Sequence, residues 1–84
     1  MQAEKAKKDA LAYINPELAE QHKEAGNKLF KDGDFPNAIK EFDEGIKRDP
    51  NNKFIYSNRA FAYIKLMEPV QAMKDADKCL ELDP

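Results

Sequence analysis

The feature that most constrains this chain is an internal repeat of 34 residues. When the sequence is shifted against itself by that distance, residues 17–50 align with residues 51–84, and both segments end in Asp-Pro. Large side chains align with large ones, such as Leu29 with Tyr63, and Ala38 aligns with Ala72. Units of this length bury a continuous core by stacking on their neighbours. The sequence therefore predicts two stacked repeats.

Each repeat divides into two predicted helices. The expected ranges are 16–31 and 35–47 in the first repeat, and 53–66 and 69–82 in the second. Asn15 and Asp34 stand where an N-cap is needed, and Pro16 suits the first position of a helix. In the second helix a stripe of apolar and small residues is expected to face the first helix; it comprises Ala38, Phe42, Gly45 and Ile46.

The turn inside each predicted hairpin differs in one residue type. Gly33 can adopt the left-handed conformation that ends a helix without steric cost. Met67 occupies the equivalent position of the second repeat. Because a left-handed conformation is strained for a residue with a bulky side chain, we expect a different and tighter corner at Met67.

The predicted fold is all-α: two tandem helix-turn-helix hairpins and an N-terminal helical leader. The leader comprises residues 1–14, with a helix expected over residues 3–13, and the tandem module comprises residues 15–84. The apolar face of the leader is narrow. Two arrangements stay open for it, packing on the first hairpin or projecting as a linker.

Composition excludes several functions. Sixteen acidic and fourteen basic residues give a net charge of -2, so the chain lacks the basic field that nucleic-acid binding requires. No apolar stretch is long enough to span a membrane. The single cysteine and single histidine, Cys79 and His22, have no partners that would suggest a metal site or nucleophilic catalysis. The three isolated glycines form no phosphate-binding loop. We expect no cofactor, no metal and no catalytic residue.

The period and its residue pattern resemble the tetratricopeptide repeat. The matching positions are Gly26, Leu29, Ala38, Phe42 and Pro50 in the first repeat, and Tyr56, Ala60, Tyr63, Ala72 and Pro84 in the second. Four shorter segments resemble the heat-shock organising co-chaperone family: residues 12–16, 23–27, 46–50 and 56–60. The resemblance implies an α-solenoid and a cytoplasmic, non-enzymatic adaptor in the stress response.

The resemblance also implies a ligand and a site. Members of that family hold the acidic C-terminal Glu-Glu-Val-Asp tails of the seventy- and ninety-kilodalton heat-shock proteins in a carboxylate clamp. By motif position, Lys23, Asn27 and Asn58 correspond to three of its five residues. A Lys and an Arg from a third repeat have no counterpart among these 84 residues. The resemblance therefore implies a partial clamp on a truncated three-repeat domain.

The residues alone support part of this site. Lys23 and Asn27 are four apart, so they share one face of their predicted helix, and Asn58 and Lys65 lie on the third helix. An ammonium and two carboxamides supply donors that a carboxylate needs. Three apolar residues are expected near these donors, either contacting a peptide or packing in the core: Phe30, Phe61 and Ile64.

A second function stays open, a structural module that self-associates. Two repeats leave the outer face of the last hairpin uncovered, and Met73 and Leu80 are expected to be exposed there. The 84-residue chain is therefore expected to be marginally stable, or to form a homo-oligomer by stacking or exchanging hairpins.

Overall fold

A computed structural model describes residues 13–83 as four helices. They are α1 (Pro16–Lys31), α2 (Phe35–Arg48), α3 (Lys53–Lys65) and α4 (Pro69–Leu82). The predicted all-α fold is confirmed, and the described residues contain no strand. The expected ranges of α1 and α4 are correct, whereas α2 ends one residue later and α3 one residue earlier than predicted. The expected leader helix lies outside the described residues apart from Tyr13.

Side-chain caps fix where three of the helices begin. The side chain of Asn15 accepts a hydrogen bond of 3.1 Å from the backbone N–H of Leu18 at the start of α1. Asp34 and Asn52 cap α2 and α3 in the same way. Proline stands in the first turn of α1, α2 and α4, where its missing N–H costs no helical hydrogen bond.

Both hairpins turn through the same backbone motif, so the expectation of a different corner at Met67 is wrong. Met67 has a φ of 57° and Gly33 a φ of 84°, and both therefore lie in the left-handed region. In the second hairpin the N–H groups of Glu68 and Met67 donate to the carbonyls of Tyr63 and Ile64 at 2.9 and 3.0 Å. These two bonds satisfy carbonyls at the end of α3 and offset the strain of the methionine backbone.

The core is built on close approaches between small and large residues. Phe42 of α2 is fully buried and lies against Gly26 of α1, where an added Cβ would be 2.7 Å from Cδ1 of the phenylalanine ring. Gly45 brings α2 similarly close to Ile55 of α3, which is also fully buried. The predicted stripe on α2 thus contacts α1 through Phe42 and reaches the second repeat through Gly45.

A partly buried ion network joins the second hairpin to the first. Nη2 and Nε of Arg59 donate to both oxygens of Asp75 at 2.6 and 2.8 Å, and Nη1 donates to Asp43 at 2.8 Å. Asp75, on α4, is 3% exposed, whereas Asp43 of α2 is half-exposed. The hydrogen bond with Asp75 is the main reason why the pKa of Arg59 is raised. One side chain of α3 therefore connects α4 with α2.

An apolar groove lies between α3 and α4 at the open end of the second hairpin. We call it the terminal groove; six of its lining residues are Phe61, Ile64, Pro69, Met73, Cys79 and Leu80. Met73 and Leu80 are 65% and 66% exposed, which confirms the expectation for these two residues. No helix within residues 13–83 has the length and apolarity needed to cross a membrane.

We predict that Met67→Gly stabilises the fold. Glycine relieves the strain of the left-handed backbone at this position, but it also increases the conformational entropy of the unfolded chain. The net gain in the free energy of unfolding is about 0.5–1 kcal/mol. The midpoint temperature of thermal unfolding, measured by circular dichroism, should then rise by about 4 °C or more for each kcal/mol gained. Met67→Ala keeps the strained backbone and is the matched control, so an equal gain from alanine would contradict the prediction.

We predict that Arg59→Met destabilises the chain by about 3 kcal/mol or more, because it leaves the carboxylate of Asp75 buried without its partner. The double variant Arg59→Met/Asp75→Leu is expected to recover most of this loss, since no buried charge then remains. Asp43→Asn, at the exposed end of the network, is expected to cost less than about 1 kcal/mol. Urea denaturation measures all three, and a double variant as unstable as Arg59→Met would refute the prediction.

Candidate functional site

Two of the predicted site residues are in direct contact across the repeats. Nδ2 of Asn58, on α3, donates a hydrogen bond of 2.8 Å to Oδ1 of Asn27, on α1. This bond uses the oxygen of the Asn27 carboxamide and one hydrogen of the Asn58 amide. The Nδ2 group of Asn27 donates none of the hydrogen bonds found within the described residues, and its side chain is exposed. The pair therefore retains N–H donors for an external acceptor.

Lys23 lies one turn before Asn27 and contacts two other side chains. Its Nζ is 2.8 Å from Oε2 of Glu20 and 5.6 Å from the centroid of the Phe54 ring. The Phe54 ring is 57% exposed, and its face attracts the ammonium electrostatically. The Lys23 ammonium is thus held beside α3 rather than extended into solvent.

These contacts form two rungs between α1 and α3. Lys23 pairs with Phe54, and Asn27 pairs with Asn58. On each helix the two residues are four apart, so both lie on the same face with one turn between them. We call these four residues the α1–α3 ladder. It places one ammonium, two carboxamides and one exposed aromatic ring on a single surface.

Glu20 and Asn52 support one end of the ladder. Nδ2 of Asn52 donates to Oε1 of Glu20 at 2.9 Å, while Oδ1 of Asn52 caps α3 by accepting from the N–H of Phe54. The hydrogen bond with Lys23, and next the one with Asn52, lower the pKa of the Glu20 carboxyl. Glu20 is therefore ionised near neutral pH and fixes the first turn of α3 against α1.

The remaining predicted site residues lie elsewhere. Phe30 is partly buried against the core, and its ring packs edge-on to Phe35 with the centroids 5.1 Å apart. Phe61 and Ile64 are more than half exposed but line the terminal groove. Lys65 is exposed at the last residue of α3. Of the seven predicted residues, the ladder contains Lys23, Asn27 and Asn58.

The side chains of the described residues include hydrogen-bond donors for a ligand but form no candidate metal site. No group of three His, Cys, Asp or Glu side chains within residues 13–83 is placed to hold a metal ion. His22 is partly buried, and its Nδ1 lies 2.9 Å from Oε2 of Glu41 on α2, which gives it a structural partner. The ladder can donate hydrogen bonds to an anion and place an apolar group against Phe54.

Sequence analysis missed Phe54, Glu20 and Asn52. A signal existed for Phe54, because it precedes Asn58 by four residues and so shares its helical face. A similar signal existed for Glu20, because it precedes Lys23 by three residues on the same helix. The contact of Glu20 with Asn52 depends on how far α3 is shifted along α1, which the sequence pattern does not specify.

Comparisons with known proteins agree on one family. The family model described as "TPR repeat" matches residues 26–66. The stress-induced-phosphoprotein 1 of Caenorhabditis elegans is 52% identical over 75 residues, covering 89% of this chain and 23% of that protein. The heat shock protein sti1 homolog of Schizosaccharomyces pombe is 50% identical over 84 residues, covering 98% of this chain and 14% of that protein.

Solved structures give the same result. The TPR2AB domain of yeast Sti1, solved as a complex with pHSP90, superimposes with a TM-score of 0.89 at 44% identity; the match covers 99% of this chain and 32% of that one. The second TPR of Spaghetti (RPAP3), bound to the HSP90 peptide SRMEEVD, superimposes with a TM-score of 0.81 at 36% identity. It covers 86% of this chain and 67% of that one.

The chain belongs to the tetratricopeptide repeat family, as the sequence resemblance implied. Its relatives within that family include the Hsp70-Hsp90 organizing proteins, also called Sti1. It spans less than a quarter of the length of these curated relatives.

Proposed function

We propose that this chain is a non-enzymatic, cytoplasmic interaction module that binds the acidic C-terminal tails of heat-shock chaperones through the α1–α3 ladder. The observation that carries the proposal is the direct contact of Asn27 and Asn58, one helical turn from Lys23. The three side chains come from two repeats and share one surface. A terminal carboxylate placed there meets N–H donors from both helices.

The donor set matches a carboxylate. Two carboxylate oxygens offer about four acceptor sites. Nδ2 of Asn27, the second hydrogen on Nδ2 of Asn58, and Nζ of Lys23 are the donors.

The similar structures support the choice of ligand. The second TPR of Spaghetti is bound to a peptide, SRMEEVD, that ends in an acidic residue with its terminal carboxylate. Such a tail has several negative charges and an apolar valine next to its last residue. In our proposal the carboxylates meet the ammonium and carboxamides of the ladder, and Phe54 offers the valine an apolar surface.

The expected affinity is modest. Charge-assisted hydrogen bonds are worth roughly 1.5–3 kcal/mol each before the peptide is ordered. Three of them place the dissociation constant between about micromolar and millimolar.

A further part of the proposal concerns the terminal groove. The groove residues Phe61 and Cys79 follow Asn27 and Gly45, respectively, by one 34-residue period. Asn27 and Gly45 both contact α3. A helix related to α3 by the same period would therefore lie in the groove. We propose that the first helix of a third repeat covers it, in preference to a second copy of this chain.

We predict that Asn27→Ala weakens binding of the peptide SRMEEVD. Loss of one charge-assisted hydrogen bond costs about 1–2 kcal/mol, or roughly five- to thirtyfold in dissociation constant. Lys23→Ala is expected to weaken binding by a similar factor. Lys40→Ala removes the same charge from an exposed position on α2 and is expected to change binding by less than about twofold.

Isothermal titration calorimetry at low salt measures these constants. Circular dichroism of each variant verifies that the helices are retained. Equal binding by wild type, Asn27→Ala and Lys23→Ala would show that the ladder is not the site.

We predict that Met73→Lys changes the stability of the 84-residue chain by less than about 0.5 kcal/mol, because this side chain is 65% exposed. In a chain extended by a third repeat, the same substitution is expected to cost more than about 2 kcal/mol, since a charge would then be buried. Urea denaturation of both chains tests this. A change in the sedimentation of the 84-residue chain on Met73→Lys would instead favour self-association through the groove.

A further inference from the structure

The Lys23 ammonium already has a carboxylate partner. Oε2 of Glu20 lies 2.8 Å from Nζ, within hydrogen-bond distance, and both residues are on α1. Any ligand carboxylate that approaches Lys23 therefore meets a bound negative charge of the protein itself. Glu20 is also fixed from the other side, because its Oε1 accepts from Nδ2 of Asn52 at 2.9 Å.

We propose that Glu20 is an internal competitor for the Lys23 ammonium, and that it sets how tightly the ladder binds a carboxylate ligand. This inference rests on the proposed function and adds a residue to it. Binding requires the ligand to share Lys23 with Glu20 or to displace it. A ligand with several carboxylates, such as an acidic peptide tail, gains further attraction from the other donors of the ladder, which offsets this competition.

The exposure of the two side chains suits this role. The Lys23 side chain is 19% exposed and lies over Phe54, so the ammonium stays in place when its partner changes. The Glu20 side chain is 48% exposed, so its carboxylate can be rehydrated when a ligand takes the lysine. The hydrogen bond from Asn52 remains available to Glu20 after the exchange.

Electrostatics sets the size and sign of the effect. Pairing with Lys23 lowers the pKa of Glu20, so the competing charge is fully present at neutral pH. Exposed ion pairs at this spacing change an equilibrium constant by about two- to fivefold, and the effect decreases as salt screens the charges. Removing the charge of Glu20 should therefore strengthen ligand binding by that factor at low salt.

The test is Glu20→Gln, titrated with the peptide SRMEEVD at low and at physiological salt. Glutamine keeps the oxygen that accepts from Asn52 and removes the charge. We expect the dissociation constant to fall about two- to fivefold at low salt, with a smaller gain at physiological salt. Glu24→Gln makes the same charge change at an exposed position one residue after Lys23 and is expected to give a smaller gain.

A double-variant cycle separates direct competition from a general charge effect. In a Lys23→Ala background, Glu20→Gln is expected to give no more gain than Glu24→Gln, because the group for which Glu20 competes is absent. A structural role for Glu20 alone would not produce this dependence on Lys23. The midpoint temperature of thermal unfolding of each variant shows whether the substitution destabilises the fold through loss of the contact with Asn52.

The outcomes distinguish the two proposals. If wild type binds the peptide and Asn27→Ala weakens binding, but Glu20→Gln binds equally or more weakly, the competitor role is refuted and the proposed function stands. A gain from Glu20→Gln that still exceeds the gain from Glu24→Gln in the Lys23→Ala background also refutes it. If neither wild type nor any variant binds the peptide, both proposals fail.

Discussion

The position of the candidate site depends on the buried bonds between Arg59 and Asp75. This pair fixes the rotation of α3 about its own axis, because Arg59 also reaches Asp43 on α2 and thereby joins three helices. Asn58 precedes Arg59 by one residue, so the two side chains leave α3 about 100° apart. When Arg59 is directed toward α4, Asn58 is directed toward Asn27 on α1. A network on another face of α3 thus sets the geometry of the candidate site.

Ion pairing alone does not explain how closely the helices pack against one another. Breaking a buried pair is costly, but a well-packed apolar pair is often as stable, so the network specifies an arrangement more than it adds stability. Close approach comes instead from the glycines. Gly26 receives the ring of Phe42, and Gly45 receives Ile55 of α3. Packing sets the distance between the repeats, and Arg59 sets the rotation.

Much of the fold could be predicted because it depends on local signals. Caps, prolines and the 34-residue period place the helix ends to within one residue. The turn at Met67 could not be predicted from residue preference, since two hydrogen bonds to the end of α3 outweigh the local strain. For the site, the sequence supplied Lys23, Asn27 and Asn58. Spacing within each helix points to Phe54 and Glu20 as well. The contacts of Lys23 with Phe54 and of Glu20 with Asn52, however, depend on the axial position of α3 on α1, which periodicity leaves undetermined.

The period itself explains why Phe61 lies outside the ladder. Asn27 of α1 faces α3, so the equivalent residue of α3, Phe61, faces the place where a next helix would lie. The same position of the repeat therefore has a carboxamide side chain in Asn27, where the two repeats meet, and an aromatic side chain in Phe61, at the terminal groove. Water and an anionic ligand can satisfy the first surface, whereas the second needs an apolar cover. The same duplicated hairpin thus produces both the polar surface that we propose for the ligand and the apolar groove that we propose for a third repeat.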